Sequence, residues 1–146
     1  MSVREEVIKM LNRALELEHA ARIQYLAHAE LVKGINAEPI IERLKEIASD
    51  EQKHEDIFRT LVGSYLGGVP SMGLAEVYEA KDIKEILEVN LKGEKEAIEY
   101  YKEIYKKVVE NKGAFLYEFE TLEHQIRHVI IDEQEHVMEL STLLGL

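Results

Sequence analysis

The chain of 146 residues carries a net charge of −11, contains no Cys and is rich in Glu, Lys, Leu, Ile and Ala. The lack of Cys excludes disulfides, iron–sulfur clusters and thiolate metal sites, so any bound metal must use oxygen and nitrogen ligands. The acidic charge argues against nucleic acid as a partner, and no apolar run reaches the ~18–20 residues that span a membrane. The first ten residues are charged and lack the hydrophobic core of a signal peptide, which predicts a cytoplasmic protein with no membrane partner.

The first half of the chain predicts two long helices. Ser2 and Glu5 have the spacing of a capping box, and apolar periodicity continues from residue 3 to about residue 33, just before Gly34. Asn36 is a suitable N-cap for a second helix over about 37–64. The connection between them is so short that the two helices must be antiparallel neighbours.

The second half predicts another pair of helices after the only long connection, which covers about residues 65–81 and contains the breaker-rich sequence GGVPSMG. Asp82 and Glu85 begin a third helix over about 82–111, Gly113 ends it, and a fourth helix covers about 114–144. Extended, the long connection could cover roughly 55 Å, more than the roughly 45 Å of a 30-residue helix. The sequence therefore predicts one all-α domain over 1–146, a four-helix bundle of two antiparallel hairpins joined by one long crossover.

Acidic and imidazole side chains interrupt the apolar stripe of every helix. The second and fourth helices each carry a Glu and a His three residues apart, whereas the first and third each carry one Glu with a Tyr seven residues later. These residues are Glu18 and Tyr25, Glu51 and His54, Glu94 and Tyr101, and Glu133 and His136, in helix order.

The two halves repeat one another. Glu18 and Tyr25 recur 76 residues later, and the sequence DEQKH at 50–54 recurs as DEQEH at 132–136. Each Glu lies at a similar distance from its hairpin turn, so all four carboxylates are expected to meet near the middle of the bundle.

Four ionised carboxylates in an apolar core would each cost several kcal/mol without partners. Two divalent ions cancel these charges, and oxygen-rich ligation with one His per metal suits iron or manganese better than structural zinc. We therefore predict two bound metal ions, iron first and manganese as the alternative, on Glu18, Glu51, His54, Glu94, Glu133 and His136. Asp50 and Asp132, each directly before a predicted ligand, are expected to hold a ligating imidazole of the opposite hairpin by its second ring nitrogen.

These motifs resemble the ferritin-like superfamily, and bacterioferritin most closely, over all four helices. The similarity to the first bacterioferritin helix rests on Leu11-Asn12-Arg13, Glu18, Gln24-Tyr25 and His28-Ala29, and residues 50–54 look like its second helix. The resemblance implies an oxo- or hydroxo-bridged di-iron centre that oxidises Fe(II) with dioxygen or peroxide. It further implies that Glu51 and Glu133 bridge the metals, that Glu18 with His54 and Glu94 with His136 complete one ion each, and that Tyr25 is the near-site tyrosine with a redox or hydrogen-bonding role. Tyr101 is expected to point its hydroxyl toward the same site.

The sequence departs from this family at several positions. Gln52 stands where bacterioferritin has its haem-ligating Met, so no haem is expected. We expect no fifth helix after Leu146, and therefore no 24-subunit storage shell. Rubrerythrins carry a second ligand Glu where this chain has Ala97, and their cysteine domain is missing here, whereas Dps-like shells with a di-iron site inside the bundle stay open.

The remaining His and Tyr residues have less specific interpretations. His28 is predicted to be a hydrogen-bonded core histidine, His19 to be exposed, and His124 with His128 to form a surface pair rather than a second metal site. A subunit interface of a homo-oligomer, a dimer or larger, could use Tyr100, Tyr105, Tyr117, Leu143, Leu144 and Leu146.

Four functions follow from this reading. The favoured one is an oxidoreductase, a ferroxidase or peroxide-consuming protein that detoxifies iron. The alternatives are an iron-storage subunit of a hollow assembly, an iron or manganese oxidase or catalase with another substrate, and a purely structural bundle.

Overall fold

The computed structural model describes residues 1–146 and contains helices but no strands. The four long helices are α1 (Val3–Ala29), α2 (Ala37–Thr60), α3 (Ile83–Glu110) and α4 (Phe119–Leu144). α1 packs along α2 and α3 along α4, while α1–α3 and α2–α4 contacts join the two hairpins. The predicted bundle of two antiparallel hairpins with one long crossover is therefore confirmed. None of these helices has a stretch long and apolar enough to cross a lipid bilayer.

Several helix ends differ from the sequence prediction. α1 stops at Ala29 rather than near residue 33, because the backbone N–H groups of Glu30 and Leu31 bond three residues back and tighten the last turn. α2 continues into a π-helical turn over Leu61–Tyr65. α4 begins five residues late because a short 3₁₀ helix, Lys112–Phe115, comes first.

Two of the three predicted N-caps form the expected side-chain hydrogen bonds, and the third does not. Ser2 forms both bonds of the capping box with Glu5, and the Asp82 side chain accepts a hydrogen bond from the Glu85 N–H at 2.8 Å. Asn36 occupies the N-cap position of α2, but its side chain makes no capping bond, so that expectation was wrong.

The crossover runs along α1 and is held there by polar side chains. The Asn12 side chain donates to the Val69 carbonyl at 3.0 Å and accepts from the Ser71 N–H at 2.8 Å. One turn further, Glu16 accepts from the Ser71 hydroxyl at 2.6 Å. Near the start of the crossover, a Cβ on Gly68 would lie only 2.8 Å from Ile8, so close approach to α1 requires glycine there.

A closed ring of hydrogen bonds fixes the far end of the crossover. The Tyr78 N–H donates to Gln24 at 2.7 Å, Gln24 donates to Asn90 at 2.9 Å, Asn90 donates to His28 at 3.0 Å, and His28 Nε2 lies 2.9 Å from the Tyr78 carbonyl. The prediction of His28 as a hydrogen-bonded core residue is therefore confirmed.

The prediction of an exposed His19 was wrong. Its side chain is only 13 % exposed, because Nδ1 lies 2.6 Å from the Gly73 carbonyl of the crossover and Nε2 contacts Arg59 and the buried Glu55. The crossover covers this face of α1, which sequence periodicity alone does not indicate.

Two apolar clusters fill the bundle, one on each side of a polar layer. The first contains residues such as Leu11, Phe58 and Ile126, and the second contains residues such as Leu44, Ile86 and Leu140. The buried Glu and His side chains lie between the two clusters, where water has little access.

Candidate metal centre

The structure brings the six residues selected from the sequence into one buried group. Each of them is at most 3 % exposed, although each is ionisable. They are Glu18, Glu51, His54, Glu94, Glu133 and His136.

The group divides into two overlapping sets of four potential ligands, each with its donor atoms within 4.8 Å of one another. One set contains Glu18 and His54, and the other contains Glu94 and His136. Glu51 and Glu133 belong to both sets. The arrangement therefore has room for two cations that share two carboxylates.

Each of the six side chains has one buried polar atom with no hydrogen-bond partner. These atoms are Glu18 Oε2, Glu51 Oε1, His54 Nδ1, Glu94 Oε2, Glu133 Oε1 and His136 Nδ1. His54 Nδ1 lies 2.9 Å from Glu133 Oε1, but the two groups are not aligned for a hydrogen bond. An unpaired buried polar atom costs about 1–3 kcal/mol, so six that face one another indicate a set of groups suited to bind cations.

The outer nitrogens of both imidazoles are held by aspartates of the opposite hairpin. His54 Nε2 lies 2.9 Å from Asp132 Oδ2, and His136 Nε2 lies 3.0 Å from Asp50 Oδ2. In a neutral imidazole, donation of the Nε2 proton to the carboxylate leaves the Nδ1 lone pair directed at the carboxylate cluster. The hydrogen bond from His54 holds the pKa of Asp132 below its usual value, so Asp132 remains a charged acceptor.

Two buried tyrosines also cross between the hairpins. Tyr25 donates to Glu94 Oε1 and Tyr101 donates to Glu18 Oε1, both at 2.8 Å. Burial, followed by the charge of these carboxylates, raises the pKa of both phenols well above the usual value. Both hydroxyls therefore stay protonated and fix the orientation of one carboxylate each.

The close packing of carboxylates and imidazoles raises the pKa of several of these groups, so that they hold protons more tightly. Burial and the neighbouring carboxylates raise the pKa of Glu51 and Glu94 well above the usual range. Burial would lower the pKa of both imidazoles, but contact with carboxylates outweighs it and raises the pKa to about 12 for His54 and about 11 for His136. The cluster therefore favours added positive charge, and protons hold that place when no metal ion is bound.

A cavity of about 270 Å³ connects this cluster to the surface between α1 and α3. Its inner wall includes Glu51, Glu94 and Glu133, and the crossover residues Ala75 and Tyr78 line its outer part. Small side chains keep it open, namely Ala20, Ala21, Gly93 and Ala97. This cavity was not predicted from the sequence, where its only signal is small residues at facing positions of the first and third helices.

The other His, Tyr and Leu residues considered in the sequence lie outside the central cluster. His124 and His128 are both exposed on α4, which confirms that the pair lies on the surface. Tyr117 and Leu146 are exposed, Tyr100, Tyr105 and Leu144 are half-buried, and Leu143 is 38 % exposed. Asn90, which is buried on α3 and bonds with Gln24 and His28 to fix the crossover, was not predicted to have this role.

Comparison with known proteins agrees with the fold and the cluster. A family model described as a ferritin-like domain matches residues 8–145. The bacterial ferritin of Neisseria meningitidis is 33 % identical over 97 residues, which span 66 % of this chain and 62 % of that protein. The bacterioferritin of Brucella melitensis is 27 % identical over 141 residues, which cover 97 % of this chain and 84 % of that protein.

Solved structures are similar over nearly the whole chain. A protein of Bacillus anthracis described as ferritin-like and diiron-carboxylate has a TM-score of 0.90 and 30 % identity, with 99 % of both chains covered. A dodecameric thioferritin of Bacteroides fragilis, described as bacterioferritin-related, has a TM-score of 0.83 and 25 % identity, covering 99 % of this chain and 87 % of that one. The relation to bacterioferritin inferred from the motifs is confirmed by these similarities.

Proposed function

The chain belongs to the ferritin-like family, and on that premise we propose that it binds two iron ions in the central cluster and oxidises Fe(II) with dioxygen or peroxide. The observation that carries the proposal is the set of six buried polar atoms without hydrogen-bond partners, one on each proposed ligand. The Bacillus anthracis protein with 30 % identity, described as diiron-carboxylate, adds support.

The ligand assignment follows from the two overlapping sets. Glu51 and Glu133, which belong to both sets, would be shared by the two ions. Glu18 and His54 would complete one ion, and the other set supplies the equivalent pair from the second hairpin. Four carboxylates balance the charge of two divalent ions, and two neutral imidazoles leave that balance unchanged. Manganese accepts the same oxygen and nitrogen donors and is the alternative metal.

When bound, a pair of iron ions supplies two electrons for the reduction of dioxygen or peroxide, which is why the site would suit ferroxidase chemistry. The residues of the chain orient the ligands and admit the substrates. Asp50 and Asp132 hold the imidazoles by their outer nitrogens, and Tyr25 and Tyr101 each fix one carboxylate. The cavity between α1 and α3 would admit Fe(II) and the oxidant.

Anaerobic titration with Fe(II), followed by exposure to air or peroxide, tests this proposal. The wild-type chain should bind two Fe(II) per chain and then develop the near-ultraviolet absorbance of a ferric centre. Combined Glu18→Ala and Glu94→Ala substitutions, which remove one unshared ligand from each set, should abolish both results.

Gln52→Ala provides the matched control, because Gln52 is exposed on α2 beside the shared Glu51. It should behave like wild type in both steps. Equal Fe(II) binding by the wild type and the double variant would refute the ligand assignment. Binding without oxidation would refute the ferroxidase activity alone and leave a metal site with another role.

Iron storage is the second candidate, because bacterial ferritins are among the relatives and the Bacteroides fragilis neighbour is dodecameric. We propose that this chain also assembles into a homo-oligomer. Exposed apolar side chains such as Leu116, Tyr117 and Met138 are available for subunit contacts. Native mass spectrometry separates the candidates, since a dimer has no interior to fill with mineral.

We expect the chain to bind no haem. An absorbance spectrum of protein expressed with added haem precursor tests this expectation.

A further inference from the structure

The chain has only two solvent-exposed histidines, and they lie next to one another on α4. His124 and His128 are four residues apart, a spacing that places them on one face of a helix. Their rings are nearly parallel, with an interplanar angle of 14° and centroids 6.2 Å apart. The other four imidazoles are inside the protein, two in the central cluster and two in contacts with the crossover.

The surroundings of the pair favour a cation. His128 Nε2 lies 3.7 Å from Asp132 Oδ2, and the chain as a whole carries a charge of −11. The guanidinium of Arg127 contacts His124 Nδ1 at 3.4 Å, but Glu123 neutralises it through a contact of 2.8 Å. No contact within the protein occupies His124 Nε2, so this nitrogen can bind a ligand.

We propose that His124 and His128 together bind a divalent transition-metal ion at the surface of α4. Two imidazoles from adjacent helical turns form a chelating pair, the arrangement that metal-binding helices use with His at i and i+4. Imidazole nitrogen selects zinc, copper, nickel or iron over magnesium and calcium, which prefer oxygen. Asp132 Oδ2 is already engaged by His54, so the two imidazoles are the protein ligands and water completes the coordination.

The site belongs to one hairpin only, although the central cluster repeats in both. The positions of α2 that correspond to His124 and His128 carry Glu42 and Glu46, both exposed. Glu46 also lies 3.2 Å from the Arg43 guanidinium, which reduces its attraction for a cation. The corresponding face of α2 therefore lacks imidazole ligands. Variants at Glu42 and Glu46 can thus show whether acidic surface charge alone is enough to bind the metal ion.

Titration of the purified chain with Cu(II), followed by electron paramagnetic resonance, tests the proposal. His124→Ala and His128→Ala should each bind one Cu(II) fewer per chain than the wild type and lose the nitrogen splitting from this pair. Glu42→Ala combined with Glu46→Ala should keep both. Because the result is a difference between variants, it does not depend on whether the central cluster also takes copper.

Thermal unfolding gives a second measurement, since an ion that binds only the folded helix raises the melting temperature. Zn(II) should raise it more for the wild type than for either His variant. Circular dichroism should show that both variants are folded, because the substituted side chains are exposed. Equal copper binding and equal zinc stabilisation in the wild type and the His variants would overturn the proposal. An equal loss in the Glu42→Ala and Glu46→Ala control would overturn it too, because binding would then be a diffuse effect of acidic charge.

Discussion

The two hairpins are alike on the inside and different on the outside. Each contributes a Glu and a Tyr from its first helix and a Glu, a His and an Asp from its second to the central cluster. On the outside, the polar face of α1 is covered by the crossover, whereas the corresponding residues of α3, Glu88, Lys92 and Lys95, are exposed. The central cluster constrains which residues can occupy the inward-facing positions of the helices. It places no constraint on the outward-facing positions, where the two halves differ.

The largest expected effect is the loss of bound metal when either of the two shared carboxylates is removed, and it tests whether the two hairpins are equivalent. Glu51→Ala and Glu133→Ala should each remove both metal ions, because each carboxylate belongs to both ligand sets. Metal analysis of the desalted protein checks this, with Gln52→Ala and Gln134→Ala as exposed neighbours for comparison. Retention of one ion in only one of the two Glu variants would show that the halves are not equivalent.

The next effect concerns the aspartates that hold the imidazoles from the opposite hairpin. Asp50→Asn and Asp132→Asn should each lower metal affinity by roughly 10–100-fold, the usual effect of removing a partner behind a metal ligand. The two variants should lose similar amounts, because the two contacts have nearly equal lengths, 3.0 Å and 2.9 Å. Competition with a chelator of known affinity measures the change, and an unchanged affinity in both would exclude the proposed role.

Metal removal should reverse the pH dependence of stability. In the metal-free chain the folded state holds protons on Glu51, Glu94, His54 and His136 more tightly than the unfolded state, because their pKa values are raised. The free energy of unfolding should therefore fall as the pH rises from about 4, where unfolded glutamates release their protons, to about 8, above the range in which unfolded histidines release theirs. The pKa of Glu133 is lowered, because contacts with Glu94 and both imidazoles outweigh the effect of burial. This shift changes stability only at acidic pH, below the pKa of an ordinary carboxyl group, and does not affect the slope at higher pH.

Metal binding displaces the same protons, so the metal-loaded chain should become more stable over that pH range. Urea unfolding of both forms at several pH values measures the two slopes. Glu51→Gln combined with Glu94→Gln, one substitution in each hairpin, should flatten the slope of the metal-free chain. Parallel slopes in the two forms would contradict the raised pKa values.

The smallest effect distinguishes the covered face of α1 from the bare face of α3. Asn12→Ala removes two hydrogen bonds to the crossover and should lower the free energy of unfolding by about 1–2 kcal/mol. Glu88→Ala, at the corresponding exposed position of α3, should change it by less than ~0.5 kcal/mol. Urea denaturation of the metal-free forms measures both, and equal effects would mean that the crossover contributes nothing through Asn12.

The inside of the bundle was predictable from the sequence, because burial imposes periodicity. The buried stripe of α2, with Glu51 and His54 between Ile47 and Phe58, could be identified by spacing, and the repeat at residues 132–136 indicated that a second copy faced it. The outside was not predictable in the same way. The crossover has no periodicity, so its contacts with Asn12, His19 and His28 depend on a path that only the three-dimensional structure gives.

Helix ends were also beyond the reach of the sequence. The tightened last turn of α1, the π-helical turn after Thr60 and the 3₁₀ helix before α4 all lie where local propensity is weak and packing decides. The cavity beside Glu94 was missed for a related reason. A Gly or Ala such as Gly93 or Ala97 marks a gap only when the facing residues on α1 are known.

The division of both ligand sets between the hairpins bears on the order of biosynthesis. The ribosome releases Glu18, Glu51 and His54 long before it adds Glu133, and Asp132, which orients His54, is added just as late. A nascent first hairpin thus lacks both the third carboxylate of its ligand set, Glu133, and the group that orients its imidazole. On the proposed ligand assignment, neither ligand set is complete until translation has passed Glu133.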